Sequence, residues 1–310
     1  MADLHPPQRP LPEVRSPKMS SHGPVPRAWF ADNAVATHLA NGVGLLFPAG
    51  ERFFVRSVRA YLGELKDETL VAHAKRFFGQ EGRHAKEHDR VIALLREQGY
   101  NVTGFLQFYE RVAYKLIERI SPASLSLATT AACEHFTALL AEEALVSRSL
   151  DEAHPTMREL FLWHAAEEIE HRAVAFDVLS AVAPSYPLRL AGLFVATACL
   201  GGFWALATVS LLLQEEKPHR LAKDFLRMFG QEGVSSIFVR GIREYMKRDF
   251  HPLDRELDAL AERYLEEAGY TQGAAATTTT TATTTATTTA TGTGTSTGMA
   301  IEAFAEQGAA

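Results

Sequence analysis

Residues 67–100 read DETLVAHAKRFFGQEGRHAKEHDRVIALLREQGY. Acidic residues open the stretch, Gly99 closes it, and Leu70, Phe77, Phe78, Val91, Leu94 and Leu95 recur at intervals near three and four. That pattern predicts one long amphipathic helix. Glu81 and His84 lie three apart near its middle, and at about 3.6 residues per turn they share a face, so together they can grip one cation. A second pair, Glu168 and His171, stands in the same relation in another helical stretch. Each pair follows a lone glutamate at a similar distance, Glu51 before Glu81 and Glu134 before Glu168. Both intervals suit a helix, a return, and the helix that carries the pair.

Working outward, the pattern stays helical. A Gly-rich turn and Pro48 precede ERFFVRSVRAYLGEL, which reads as a helix with Glu51 near its start. A helix is expected from about Ser121 to Leu150, with Ser121 and Pro122 as cap and first turn. Another should begin after His154-Pro155 and run to about Ala183, where Pro184 stops it. Strand-type alternation is scarce, so the class is all-α. Residues 1–27 hold seven of the fourteen prolines and read as a disordered, weakly basic arm. Residues 28–185 form the expected di-metal helix bundle, and 186–270 the apolar helix or hairpin plus C-terminal helices of the same domain. Residues 271–310, almost only Thr and Ala up to Gly298, read as a low-complexity disordered tail.

Composition bounds the function classes. Apolar residues make up 46% of the 310, charged residues 22%, and the net charge is -6, which argues against a nucleic-acid partner. Two cysteines, Cys133 and Cys199, cannot build a four-thiolate zinc or iron–sulfur site or a disulfide scaffold. There is no apolar leader at the N-terminus, so a cytoplasmic location is expected. Residues 191–213 carry no formal charge and are long enough to span a bilayer. A helix buried under others, a re-entrant hairpin at Gly201-Gly202 and a helix resting on the inner face of the membrane all fit. Walker, dinucleotide and Gly-x-Ser-x-Gly signatures are absent.

Two copies of a helix with Glu and a helix with Glu-x-x-His give the donor set of a di-metal carboxylate bundle. Two divalent cations close together need anionic ligands, and four carboxylates supply -4 against +4. Mixed oxygen and nitrogen donors suit two metal ions such as iron, with manganese or zinc as alternatives. His164 lies four before Glu168 and adds a third imidazole to that face. His88, seven after Glu81, is expected beside the site or at the surface rather than on a metal. Glu167 is expected to bond a ligand histidine, and Glu170 to face solvent. The same helix offers His135, Glu142 and Glu143, and His135 and Glu142, seven apart, share a face that competes with that of Glu134. Phe53, Phe54, Phe77, Phe78 and Phe136 read as core or as the lining of an apolar pocket, and Cys133 as a packed small residue.

The pattern Glu, Glu-x-x-His, Glu, His-x-x-x-Glu-x-x-His resembles that of ferritin-like di-iron oxygenases of the arylamine N-oxygenase type. FPAGERFFVRSVR, GQEGRH and EEIEHRAVAFDV also look like a bacterial family catalogued as predicted metal-dependent hydrolases, over about 27–270. The resemblance implies a ferritin-like four-helix di-metal bundle with additional C-terminal helices. It also implies metal ligands at Glu51, Glu81, His84, Glu134, His164, Glu168 and His171. The implied activity is oxidation of a small organic substrate by dioxygen with an electron donor. Hydrolysis by a metal-activated water, or iron binding and storage, are the alternatives. An apolar substrate fits if 191–213 meets lipid; the oligomeric state is left open.

Overall fold

The computed structural model describes residues 9–18, 23–227 and 234–270. The Thr/Ala-rich tail at 271–310, and the expectation of disorder there, lie outside the described residues. Those residues form eleven α-helices and no strand beyond one isolated bridge, Phe30 to Ala153. The chain is all-α.

In chain order the helices are α1 (Ala34–Gly44), α2 (Phe47–Arg59), α3 (Glu68–Glu97), α4 (Thr103–Tyr109), α5 (Ala123–Val146) and α6 (Pro155–His171). Then follow α7 (Val174–Val182), α8 (Tyr186–Leu212), α9 (Pro218–Arg227), α10 (Val234–Tyr245) and α11 (Asp258–Glu267). A π-helical stretch, Glu110–Glu118, continues α4. Local chemistry sets the ends. Asp67 caps α3 by accepting from the amides of Thr69 and Leu70, and Gly99, at φ 89°, turns the chain out of it. Prolines stand in the first turns of α2, α6 and α8, where a missing N–H costs no intrahelical bond.

Helices α2, α3, α5 and α6 pack pairwise, α2 on α3, α5 on α6, α2 on α5 and α3 on α6. Helix α5 is the centre, touching also α7, α8 and α10. Nearly every residue from Ser126 to Leu139 is buried whichever way it points, so this helix lacks the one-sided pattern of a surface helix.

Three expectations are corrected, two about helices and one about the N-terminal arm. The helix expected from 155 to 183 is broken at Arg172-Ala173. Arg172 is buried, and its guanidinium donates to the Ile169 carbonyl (2.6 Å), an acceptor that the helix ladder would otherwise use. It donates also to the Pro252 and Arg255 carbonyls and to Asp258. A side chain inserted into the ladder is a recognised cause of a break, and no Pro or Gly marks it in the sequence. Ser121 does not cap α5; its hydroxyl donates back to the Ile117 carbonyl (2.7 Å). Residues 9–18, expected to be disordered, lie against α3, α6 and α11. Arg9 bonds the Glu170 carbonyl and Asp258, and Gln80 donates to the Glu13 carbonyl.

The apolar run at 191–213 lies within a single unbroken helix, α8, so the hairpin at Gly201-Gly202 does not form. One face of α8 packs on α5 and α1, with Leu193, Ala196, Trp204, Ala207 and Leu211 buried. The opposite face is apolar and open: Phe194 is 75% exposed, and Leu206 and Val209 about half. By length and composition α8 could cross a membrane, and a third of its most apolar window is buried in protein.

Close approach of α5 and α8 depends on one glycine. A Cβ on Gly192 would stand 2.4 Å from the Ala128 carbonyl carbon and 2.5 Å from its oxygen, both backbone atoms that cannot swing away. Gly192→Ala is therefore expected to destabilise the chain by about 1–3 kcal/mol, the usual cost of overpacking. Chemical denaturation measures it; a midpoint equal to wild type would show that the helices can separate freely.

Candidate metal centre

The four packed helices each turn a glutamate inward. Glu51 on α2, Glu81 on α3, Glu134 on α5 and Glu168 on α6 are all buried, as are His84 on α3 and His164 and His171 on α6. Glu51 lies in the second turn of α2, late enough to reach the centre: its Oε1 is 3.6 Å from His164 Nε2. Glu168 Oε1 lies 2.8 Å from His164 Nε2 and 3.4 Å from both His84 Nδ1 and His171 Nε2. His171 Nε2 is 3.0 Å from Glu81 Oε1 and 3.4 Å from Glu134 Oε2. All seven side chains singled out in the sequence thus meet in one place.

The surrounding shell aims the imidazoles. His84 Nε2 donates to Glu167 Oε2 (3.0 Å), which leaves Nδ1 facing Glu168. His171 Nδ1 donates to Gln80 Oε1 (3.1 Å), which leaves Nε2 facing the carboxylates. Such outward bonds set the tautomer of a ligand histidine. The next layer is the N-terminal arm. Arg15 reaches Glu170 at 2.7 Å and Glu167 at 3.5 Å, and Glu170 accepts from Gln80 (2.8 Å). Glu170, expected to face solvent, is therefore held inside this network.

His88, expected beside the site or at the surface, lies beside it. It is fully buried, its Nε2 is 2.8 Å from His164 Nδ1, and its donor atom lies within 4.8 Å of those of Glu51 and His164. Three further groups of donors satisfy the same limit: His84, His164 and Glu168; Glu51, Glu81 and His84; Glu81, Glu168 and His171. Position four after His84 was the available signal. The competing face of α5 points elsewhere: His135 meets the Gly241 carbonyl (3.1 Å), and Glu142 is held by Arg255. The ring of Phe77 packs edge-on to His171, Phe136 is core, and Phe53 and Phe54 line a pocket described below.

Electrostatics are severe without a cation. Burial, then the charges of Glu81, Glu168 and Glu134, pushes the Glu51 carboxyl far above its usual range. Burial likewise raises Glu81 and Glu134. Burial would raise Glu168 too, but the His171 charge and the hydrogen bond from His164 hold it well below. Burial and the charge of His84 push His164 down to about 4. His84 is raised to about 9 despite its burial, because Glu167 accepts from it and the Glu168 carboxylate lies beside it. Both oxygens of Glu51, Glu81 and Glu134, one of Glu168, and the inward nitrogens of His84 and His171 have no hydrogen-bond partner. Buried carboxylate oxygens rarely go unpartnered. A donor set of this charge and mix fits divalent transition-metal ions.

The comparisons with known proteins agree with a metal site. Residues 13–256 match the model of a family described as predicted metal-dependent hydrolase. The chain belongs to this family. The matched span contains all four centre helices and begins inside the arm that carries Arg15. No curated protein and no solved structure matches the chain.

The raised histidine gives metal-free protein a distinctive pH response. Unfolded histidine loses its proton near 6.5, whereas folded His84 keeps it to about 9, so the folded state holds the extra proton between them. His171, raised despite burial by Glu168 and Glu134, acts in the same direction. Stability of the metal-free protein should therefore fall as pH rises from about 7 to 9. Thermal melts in chelator across that window test it; stability rising with pH would contradict the charge pattern.

Proposed function

We propose that the centre holds two metal ions, iron by preference, and that the protein oxidises a small organic substrate with dioxygen. The observation that carries this reading is the donor set: four carboxylates and three imidazoles, all buried, from four packed helices. Carboxylate-rich bundles with paired Glu-x-x-His motifs are the ferritin-like di-metal arrangement, and mixed oxygen and nitrogen ligation suits iron or manganese. Glu51, Glu81, Glu134, Glu168, His84, His164 and His171 would be the ligands, with His88 as an eighth candidate. Two iron ions, when bound, would supply electrons to dioxygen, and an external donor would restore them. The chain's own residues orient and shield: Glu167 and Gln80 aim His84 and His171, and Trp163 and Phe77 wall their rings.

Hydrolysis by a metal-activated water is the second reading, and it is the one that the family description names. A cleft of about 950 Å³ also favours it: its lining includes His164 and Glu168, and polar residues such as Arg148 and Asp151. Water would have a route to the centre along it. Two free cysteines suit a reducing, cytoplasmic setting for either chemistry.

Metal content of protein purified without oxygen, followed by absorbance and oxygen uptake when oxygen is admitted, separates the readings. Two irons per chain with oxygen consumption is the expected result. Zinc, or iron that is indifferent to oxygen together with ester or amide cleavage, would favour hydrolysis. Glu168→Ala should lose more than half of the bound metal, since its Oε1 sits among three imidazoles; unchanged stoichiometry would refute the assignment. His164→Ala should retain metal but change the rate of oxygen consumption at least tenfold, and wild-type kinetics would return His164 to a packing role.

A further inference from the structure

A second cavity, of about 80 Å³, runs to the centre from another side. Buried Glu51 stands at its inner end, and half-buried Ile117, Glu118 and Ser121 at its outer end. Between them the wall is carbon and sulfur: Phe54, Cys133 and Cys199 among others. Several hydroxyls on this wall are already bonded to the protein. Thr129 donates to the Leu125 carbonyl, Thr137 to the Glu134 carbonyl, and Tyr109 to the Leu46 carbonyl, while Tyr109 and Tyr114 bond each other. The surface that lines the cavity is mostly apolar, so water gains little there. The π-helical stretch supplies Ala113, Tyr114 and Ile117 to the wall, and such wide turns recur at functional sites.

We propose that this cavity receives the unbranched apolar chain of the substrate and delivers one end of it to Glu51. The inference rests on the reading of the centre as the reacting site, and it deepens that reading by naming the substrate class: an alkyl or acyl chain. On the scale at which about 10–15 Å³ of such space holds one water-sized group, the cavity admits about six methylenes. The bidentate Arg56–Glu118 pair, 2.7–2.9 Å, places an ion pair at the outer end, where a polar headgroup stays while the chain enters. Val195 lines the cavity from α8, one residue from exposed Phe194. The chain can therefore come from water or from a bilayer touching that face.

Calorimetric titration of the anaerobic full-length protein with linear primary alcohols, butanol to nonanol, tests the proposal. Affinity should rise about fourfold per methylene and level off near six carbons as the cavity fills. Affinity independent of chain length would overturn it. Val195→Phe and Ala113→Phe fill the cavity from two different elements. Each should cut hexanol binding at least tenfold with metal content unchanged, and wild-type binding in both would overturn the assignment. Sedimentation with phosphatidylcholine vesicles distinguishes the sources: protein pelleting with vesicles points to a bilayer chain, protein remaining in solution to a dispersed one. Chain binding without oxygen uptake would refute the oxidative reading and leave the cavity assignment standing. Oxygen uptake without dependence on chain length would do the reverse.

Discussion

Four glutamates held together out of water repel one another, and most of the structure is arranged around that repulsion. At an effective dielectric constant of about 20, two unit charges about 4 Å apart interact by about 4 kcal/mol. No single pair of that size is tolerable among buried groups without compensation. Glu168 obtains it from the three imidazoles around its Oε1, and Glu81 and Glu134 share His171, whereas the carboxyls of Glu51, Glu81 and Glu134 are all pushed toward the protonated form. The bundle thus gathers acceptors in a space where either protons or metal cations neutralise them. Aromatic packing walls part of that space, with Phe77 and Trp163 edge-on to the imidazoles and α5 buried on nearly all sides.

Orientation of the donors comes from a second layer that is itself anchored remotely. Glu167 and Gln80 hold two imidazoles, Glu170 holds Gln80, and Arg15 holds both glutamates. An arginine from the N-terminal arm therefore neutralises the outer carboxylates, while the inner ones are left for metal. This division is physically sensible. A guanidinium deep inside would compete with the cation, but one layer out it fixes geometry without occupying the centre. The family match beginning at residue 13 includes this arm.

Two routes reach the same centre with different character. The broad cleft at His164 and Glu168 mixes apolar walls with polar residues such as Arg148 and Asp151, and the narrow cavity at Glu51 is lined almost wholly by apolar surface. Phe47 and Thr137 border both, so the routes converge on the space between Glu51 and His164. A polar reactant and an apolar chain could approach from different sides without exchanging places. The exposed apolar face of α8 extends the apolar route to the molecular surface.

The sequence by itself determined the helical class and the clustering of donors. Glu-x-x-His and His-x-x-x-Glu are statements about one face of one helix, and helical periodicity is local. Repetition of the unit then specified that two such faces must meet. What only the tertiary structure decided involves partners far apart in the chain. His88 joins the centre because His164, 76 positions away, meets it. Glu170 leaves solvent because Arg15 covers it, and the break after His171 exists because Arg172 finds acceptors beyond residue 250. The turning of α5 toward the centre through Glu134 rather than His135 depended on Gly241 and Arg255 engaging the other face. Local spacing states which side chains can act together; which of several faces points inward is settled by packing, because burial energies are shared among elements that the local pattern cannot see.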